Sequence, residues 1–401
     1  MKQKSFINEE QSYLLTINGG SSSIKFTLYQ TDQPLRRLLH GNLDRIGLPD
    51  SKLTFSEGEK IQKDTLKLNA SNLQMASNFL IDWLEKKINF SLITGIGHRV
   101  VYGMNHTGPE LITSDLLDEL HRITLYDPDH LPVEIELIEV FRQRHPKVPQ
   151  VACFDTAFHQ TMPRVAKLLP IPRRFDAKGI QHYGFHGLSC AYLMEELNRR
   201  SEPKVANGRV ILAHLGSGAS LTAVSQGKSI DTSMGFTPAG GMMMGSRSGD
   251  LDPGLALYIL QSEHLTSKQF NELINHESGL LGISETSSDM EDLLALEKDD
   301  FRAAEAIALF CYQAKKWIGA FAASLGGVDT LVFAGGIGEN SPVIRSRICN
   351  GLEFLGIELE EKQNKANASI ISINKGKVVV HVIQTDEEWM IANIVSQIIH
   401  R

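Results

Sequence analysis

Two stretches far apart in the chain share one layout, and that layout limits the fold more than any other feature. Residues 14–28 read LLTINGGSSSIKFTL, and residues 211–224 read ILAHLGSGASLTAV. Each is an apolar run, a knot of glycine and serine, then an alternating run, which is the pattern of strand, tight turn, strand. Asn18-Gly19 alone would serve a two-residue turn. The extra glycine and serines supply hydroxyl and main-chain N–H donors, which suits a phosphate cradle as well as a bend. A repeated hairpin of this kind predicts two similar domains, each presenting its turn to a shared cleft.

Strand-like and helix-like segments alternate along most of the chain, so the fold class is α/β. Helices are expected over 72–88, over 132–144 with Pro132 at the start, and over 303–325; each apolar stripe reads first as core packing. Buried strands are expected at 149–154, 209–213, 330–334 and 377–383, and 201–208 reads as a surface loop. The length of 401 residues allows two cores. A net charge of −7 with no block of like charges argues against nucleic acid or an anionic membrane as partner. No apolar run is as long as a membrane span, and MKQKSFINEEQS has no signal-peptide core. Cys153, Cys190, Cys311 and Cys349 are scattered and form no metal or disulfide framework. A cytoplasmic location is expected.

A third glycine site, Gly335-Gly336-Ile337-Gly338-Glu339-Asn340-Ser341-Pro342, follows an apolar run. A strand, a glycine loop and a helix start offer free N–H groups to an anion. Neither the dinucleotide nor the Walker spacing is present, which points to a different nucleotide fold. Isolated polar groups stand in similar settings: Arg99 after the apolar run 92–96, Asp155 after 149–154, His186 between glycines, and Arg247 with Asp250 and Asp252 in DTSMGFTPAGGMMMGSRSGDLDP. Thr385-Asp386-Glu387-Glu388 precedes a helix expected to begin near Trp389. Each has a plain structural reading, as surface ion pair, N-cap or core histidine. Together they are what phosphoryl transfer requires, because catalysis there is positioning plus cationic stabilisation. A magnesium ion suits one or two carboxylates with an Asn side chain.

NGGSSSIKF, GHRVV, FDTAFH, YGFHG, HLGSGAS, DTSMGFTP, MGSRSGDLDP, SSDM, FAGGIGEN and TDEE occur in that order. The set resembles the acetate kinases and their propionate- and butyrate-kinase relatives, from about Leu14 to the C-terminus. The resemblance implies two duplicated actin-like (ribonuclease H-like) domains flanking a nucleotide cleft. We expect an acyl-substrate domain from 1–154 plus 389–401 and a nucleotide domain from 155–388. The implied activity is reversible, Mg2+- or Mn2+-dependent transfer of the ATP γ-phosphoryl to a short-chain carboxylate by direct in-line transfer, in a homodimer. Domain closure is expected to exclude water.

Residue by residue, the resemblance implies catalytic roles for Arg99, Asp155, His186, Arg247 and His130, with Arg99 and Arg247 clamping the anions. Arg99, Val101, Asp129, Phe185 and Pro238 would line the acyl site. Asn18 and Glu387 would hold the metal. Nucleotide contacts fall on Ser21, Ser23 and Lys25; on His214, Gly216, Ser217 and Gly218; on Asp289, Met290 and Glu291; and on Gly336, Ile337, Gly338 and Asn340. The chain also departs from the family. GHRVVYGM places Tyr102 and Met104 where most members have HGG. DPDHLP keeps His130 but puts Asp129 where an apolar leucine is usual. Ser217 replaces an asparagine, Glu291 an arginine, TPAGG stands for TPLEG, and YGFHGLSC for YGFHGTSH. An acid beside a carboxylate substrate weakens binding unless paired, for instance with His130, so acetate need not be the preferred acid. Two alternatives follow: a kinase for another small or polar-substituted acid, or a degenerate nucleotide-binding homologue with a regulatory role.

Overall fold

The computed structural model describes residues 11–20, 23–32, 34–48, 50–58, 63–68, 70–374 and 376–399. Ser21 lies outside them. The chain divides into two compact units, Met1–Ala157 with Asp386–Arg401, and Phe158–Thr385. Asp155 and the segment Asp386–Glu388 therefore belong to the first unit, where the expected boundaries had put them in the second.

The first unit is built on β1 (Tyr13–Gly19), β2 (Ser23–Gln30), β3 (Arg36–Asp44), β4 (Lys52–Glu57), β5 (Asp64–Lys67), β6 (Ile93–Val100), β7 (Glu110–Leu111) and β8 (Gln150–Phe154). They form one sheet in the order β5-β4-β3-β2-β1-β6-β8-β7. β1 to β5 are antiparallel, while β6 runs parallel to β1 and β8 parallel to β6. The alternation read in 14–28 sorts side chains by face. Leu15, Ile17, Ile24 and Phe26 enter a core with Leu80, Trp83 and Leu84 of the helix Leu73–Lys87 and with Leu137 and Phe141 of the helix Leu131–Arg144. Burying each such side chain contributes about 2 kcal/mol. Asn18 faces the other way. On that face the C-terminal helix Glu387–Ile399 packs against β1 and β6. Gly97 makes this approach possible, since a Cβ there would lie 2.4 Å from Ile391.

The second unit repeats the plan with β9 (Arg209–Leu215), β10 (Ala219–Ser225), β11 (Lys228–Thr232), β12 (Thr330–Ala334) and β13 (Val379–Val382), ordered β11-β10-β9-β12-β13. Its first three strands are antiparallel and its last two join in parallel, as in β3-β2-β1-β6-β8. The repeat seen in the sequence is thus one of topology. The helix Gly187–Arg200 packs on one face through Cys190, Leu193 and Leu197 against Val210, Leu212, Val224 and Val332. The helix Phe301–Leu325 meets β9 and β10. Three local expectations change. Residues 201–208 include the short helix Pro203–Ala206. The glycine stretch after β12 is helical at once, Gly335–Asn340, and a second helix, Pro342–Cys349, follows it. The C-terminal helix starts at Glu387 rather than near Trp389, and Asp386 Oδ1 accepts from the Trp389 N–H at 2.9 Å.

Candidate active site

In the first unit Arg99 lies inside β6, not beyond its end. The Nε and Nη2 groups donate to Asp155 Oδ2 at 3.0 and 2.6 Å, and Nη1 donates to Asn18 Oδ1 at 3.2 Å. Asp155 follows β8 directly and is fully buried, with its N–H on the Val100 carbonyl at 2.9 Å. Three strands that are neighbours in the sheet thus bring Asn18, Arg99 and Asp155 together. Burial works against the Arg99 charge, but Asp155, Glu387 and Glu134 outweigh it and hold the guanidinium protonated far above its ordinary value.

Asn18 Nδ2 points to Glu387 Oε2 at 3.5 Å and to Glu388 Oε1 at 3.4 Å, both long for hydrogen bonds. Glu387 and Glu388 bring two carboxylates to the Asn18 side chain, hard oxygens of the kind taken by a magnesium-type cation that keeps most of its waters; the Asn18 oxygen itself faces Arg99, and its NH2 faces the acids. Among the described residues no group of three or more His, Cys, Asp or Glu side chains is placed to hold a metal ion by itself.

The acid beside His130 is Asp127, with Nδ1 and Oδ1 2.8 Å apart, and not Asp129. Asp127 is 4% exposed and its Oδ2 has no hydrogen-bond partner. Asp129 is half-buried, and its carboxylate makes no hydrogen bond or ion pair among the described residues. Val101 is buried, and its N–H donates to both oxygens of Glu134, at 3.2 and 3.0 Å. Sequence reasoning missed Glu134. Its signal was an acid on the inward face of the helix Leu131–Arg144, where it is 2% exposed. Burial pushes its carboxyl well above the usual range; Arg99 and the Val101 N–H oppose that, and Asp127 and Asp155 add to it. Of the hairpin residues, Ser23 begins β2 and its carbonyl accepts from the Gly20 N–H at 2.8 Å. Lys25 is exposed opposite Asn42 of β3.

In the second unit the site is made largely of backbone. Gly216, Ser217 and Gly218 form the turn between β9 and β10, closed by the Gly216 N–H on the Gly218 carbonyl at 3.0 Å. A Cβ on Gly216 would lie 3.6 Å from the Gly336 N, so this turn and the start of the helix Gly335–Asn340 are neighbours. Gly335 has φ +76°, and a Cβ there would lie 2.6 Å from the Leu215 carbonyl, so only glycine fits. Glu339 accepts the Gly335 and Thr385 N–H groups at 2.9 and 3.0 Å. Asn340 Nδ2 donates to the Gly336 carbonyl at 2.9 Å; Asn340 and Gly336 are exposed and Ile337 is half-buried.

His186 stands at the N-cap of the helix Gly187–Arg200 in a left-handed conformation, φ 58°. Its Nδ1 is 2.9 Å from Ser220 Oγ, its ring is 4.4 Å from that of His214, and its Nε2 faces Gly218. His214 Nδ1 is 2.8 Å from Ser189 Oγ. Arg247 Nη1 donates to the Pro238 carbonyl at 3.4 Å, and the Gly245 N–H binds the Ser217 carbonyl at 3.0 Å. The Arg247 loop therefore sits on the glycine turn. Phe185 is buried, as is Pro238.

Asp289 caps the helix Met290–Leu296, taking the Glu291 N–H at 2.7 Å; Met290 packs inward, and Glu291 is exposed. The side chain of Met290 is thus core. Two positioning residues escaped the sequence reading. Arg345 is fully buried and donates to the carbonyls of Gly338, Glu339 and Asn364 and to the amide oxygens of Asn364 and Asn367, at 2.6 to 3.0 Å. Burial lowers its pKa to about 10. His159 is fully buried, with Nε2 2.8 Å from the Phe185 carbonyl and Nδ1 3.0 Å from Ser229 Oγ. Burial lowers its pKa to about 4, so it is neutral: Nε2–H donates to the carbonyl and Nδ1 accepts from the serine.

The sequence model of the acetokinase family matches residues 13–393. The chain belongs to the acetokinase family. Acetate kinase of Rhodopseudomonas palustris is 42% identical over 386 residues, spanning 94% of this chain and 96% of that protein. Propionate kinase of Citrobacter rodentium is 42% identical over 392 residues, spanning 96% of each. Among solved structures, Porphyromonas gingivalis acetate kinase superposes with a TM-score of 0.86 at 35% identity, over 97% of this chain and all of that one. A propionate kinase from Francisella tularensis gives 0.89 at 36% identity, over 96% and 99%. The fold is the duplicated actin-like one, and this member of the family is a phosphotransferase with a carboxyl group as acceptor.

Proposed function

We propose that this acetokinase transfers the ATP γ-phosphoryl directly and reversibly to acetate, propionate or a close relative, with magnesium or manganese. The observation that carries this reading is Arg99, whose guanidinium is fixed by Asn18 of β1 and by Asp155 just after β8, on either side of β6, while nearby acids keep its charge. The carboxylate nucleophile is already ionised at neutral pH, so no strong base is needed. What is needed is a rigid cation that lets two anions approach. Arg99 does this for the carboxylate. The second unit handles the phosphates with the Gly216–Gly218 and Gly335–Gly338 backbone. His186, oriented by Ser220, donates to the transferred group, and Arg247 adds a second cation. Asn18 and Glu387, with Glu388 alongside, would hold a divalent cation, which would neutralise phosphate charge.

Trapping the acyl phosphate as a hydroxamate across acetate, propionate, butyrate and polar-substituted acids tests the reading. Turnover with a short-chain acid that disappears in Arg99→Ala supports it; ATP binding without turnover on any acid would sink it and favour a regulatory homologue. A second reading, an acid carrying a hydroxyl or amino group, is favoured by Asp127, whose Oδ2 has no hydrogen-bond partner beside His130. A cytoplasmic homodimer is proposed with it. The exposed apolar residues Leu255, Leu257 and Tyr258 on the helix Pro253–Ser262 suit burial against a second copy.

A further inference from the structure

Among the described residues, the helices of the first unit leave part of one sheet face open. The helix Leu73–Lys87 covers one side of β2, β3 and β4, and the C-terminal helix covers β1 and β6 on the other. On that other side, beside Glu388, a cavity of about 300 Å³ runs across β2, β3 and β4. Its rows are set by register: Lys25, Asn42 and Thr54 in one, Thr27, His40 and Ser56 in the next. An antiparallel sheet often turns one face to water, so a polar face alone means little.

Three features set this one apart. Among the described residues Lys25, Lys52, Lys63 and Arg37 line it against Asp44 and Glu388. Among the described residues Lys25, Lys52 and Lys63 make no ion pair, and Arg37 pairs with Asp386. The wall also holds two buried polar atoms without a partner, His40 Nδ1 and Asn42 Oδ1. The lysines are exposed and hydrated, so it is their grouping that matters: four cations around one groove raise the local positive potential. The cations call for a multivalent anion. The Asn42 amide oxygen is covered and has no partner while its NH2 is held by Asp44; turned toward the groove it can only accept, so it would take a donor such as a hydroxyl. The volume exceeds what a bare phosphate needs.

We propose that this cavity binds a phosphorylated, hydroxyl-bearing small molecule of the sugar-phosphate class, with Lys52 and Lys63 on the phosphate and Asn42 on a hydroxyl. Lysine is a common point-charge partner for phosphate. The site begins at Lys25 but extends away from Asn18; β4 is three strands from β1, roughly 14 Å at the usual strand spacing. The inference goes beyond the kinase reading and does not depend on it.

His40 is the reporter. Burial first, then Arg37 and Lys63, lower its pKa, while Asp386 and Glu388 raise it; Lys25, Lys52 and Asp44 are the other charges in the cavity. An anion bound there shields the cations and moves the His40 pKa up. The test is histidine NMR on the full chain with Mg-ADP present, titrating glucose 6-phosphate, inorganic phosphate and glucose. Glucose 6-phosphate is expected to shift the His40 ring signals and raise its pKa. Inorganic phosphate should bind at least about tenfold more weakly, glucose not at all, and the Lys52→Gln/Lys63→Gln double variant should lose at least about tenfold in affinity for glucose 6-phosphate. Carboxylate turnover without the sugar phosphate should be unchanged in that variant. Both lysines are exposed, thermal melting checks the fold, and Lys63→Gln alone serves if the double variant does not fold. An unmoved His40, equal affinity for inorganic phosphate, or undiminished binding in a folded variant would each overturn the proposal.

Discussion

The hairpin of β1 and β2 delivers a side chain to its site: Asn18 reaches Arg99, Glu387 and Glu388. The hairpin of β9 and β10 delivers backbone: its turn sits beside Gly336 and under the Arg247 loop. The two sheets share one strand order, yet the first unit builds an ionic cluster and the second a main-chain cradle held from behind by buried side chains. An ionic cluster fails when one charge is removed. A main-chain cradle tolerates changes at its rim and fails when its supports go.

The sharpest way to break this contrast is Arg99→Ala, for which we expect a loss of about 10³-fold in turnover. The variant also leaves Asp155 buried without its cation, destabilising the first unit by about 3–5 kcal/mol; steady-state kinetics and urea melts read the two effects separately. Acid compares the units next, because each has one buried histidine with a pKa lowered to about 4, His98 and His159. The unfolded value is higher, about 6.5, so the unfolded chain takes up protons first as pH falls. Stability is therefore full above about pH 6.5 and declines toward pH 4, by roughly 3 kcal/mol for each histidine. Urea melts at a series of pH values should show this slope, and His98→Asn should remove the first unit's share of it.

Arg345→Met tests the support of the cradle. It leaves carbonyl and amide oxygens without donors, costing about 2–3 kcal/mol, and should raise the KM for ATP more than it lowers kcat. A variant with normal melting and normal KM would remove Arg345 from the site. Asn18→Ala is the mildest: turnover should fall about tenfold, with stability changed by less than about 1 kcal/mol. The loss should shift the magnesium concentration needed for half-maximal rate. An unchanged magnesium dependence would mean that the hairpin is only a turn.

Much of the fold was legible because strand and helix periods differ and glycine marks the places where chains approach. The helix read at 303–325 spans Phe301–Leu325, and the strand at 330–334 is Thr330–Ala334. Arg99, Asp155 and Asn18 stood out as polar residues at the edges of apolar strands, and the structure brings them within hydrogen-bonding reach. Glu134, Arg345 and His159 did not stand out. All three bind main-chain groups of distant segments, Val101, Gly338 and Phe185, and carbonyl and N–H groups carry no sequence signature. The pairing offered for His130 failed for a related reason. Asp129 is its nearer neighbour in sequence, but the chain turns so that Asp127 meets the ring.

By itself the sequence determined the doubled hairpin, the face on which each strand residue lies, and the residue types available for phosphoryl chemistry. Those follow from local period and turn chemistry, which act within a few residues. The tertiary structure decided which acid holds which cation and which buried side chain props which loop. It also left a cationic sheet face uncovered by the described helices. Such partners are set by strand register and helix packing between residues tens to hundreds of positions apart, and no local pattern encodes them.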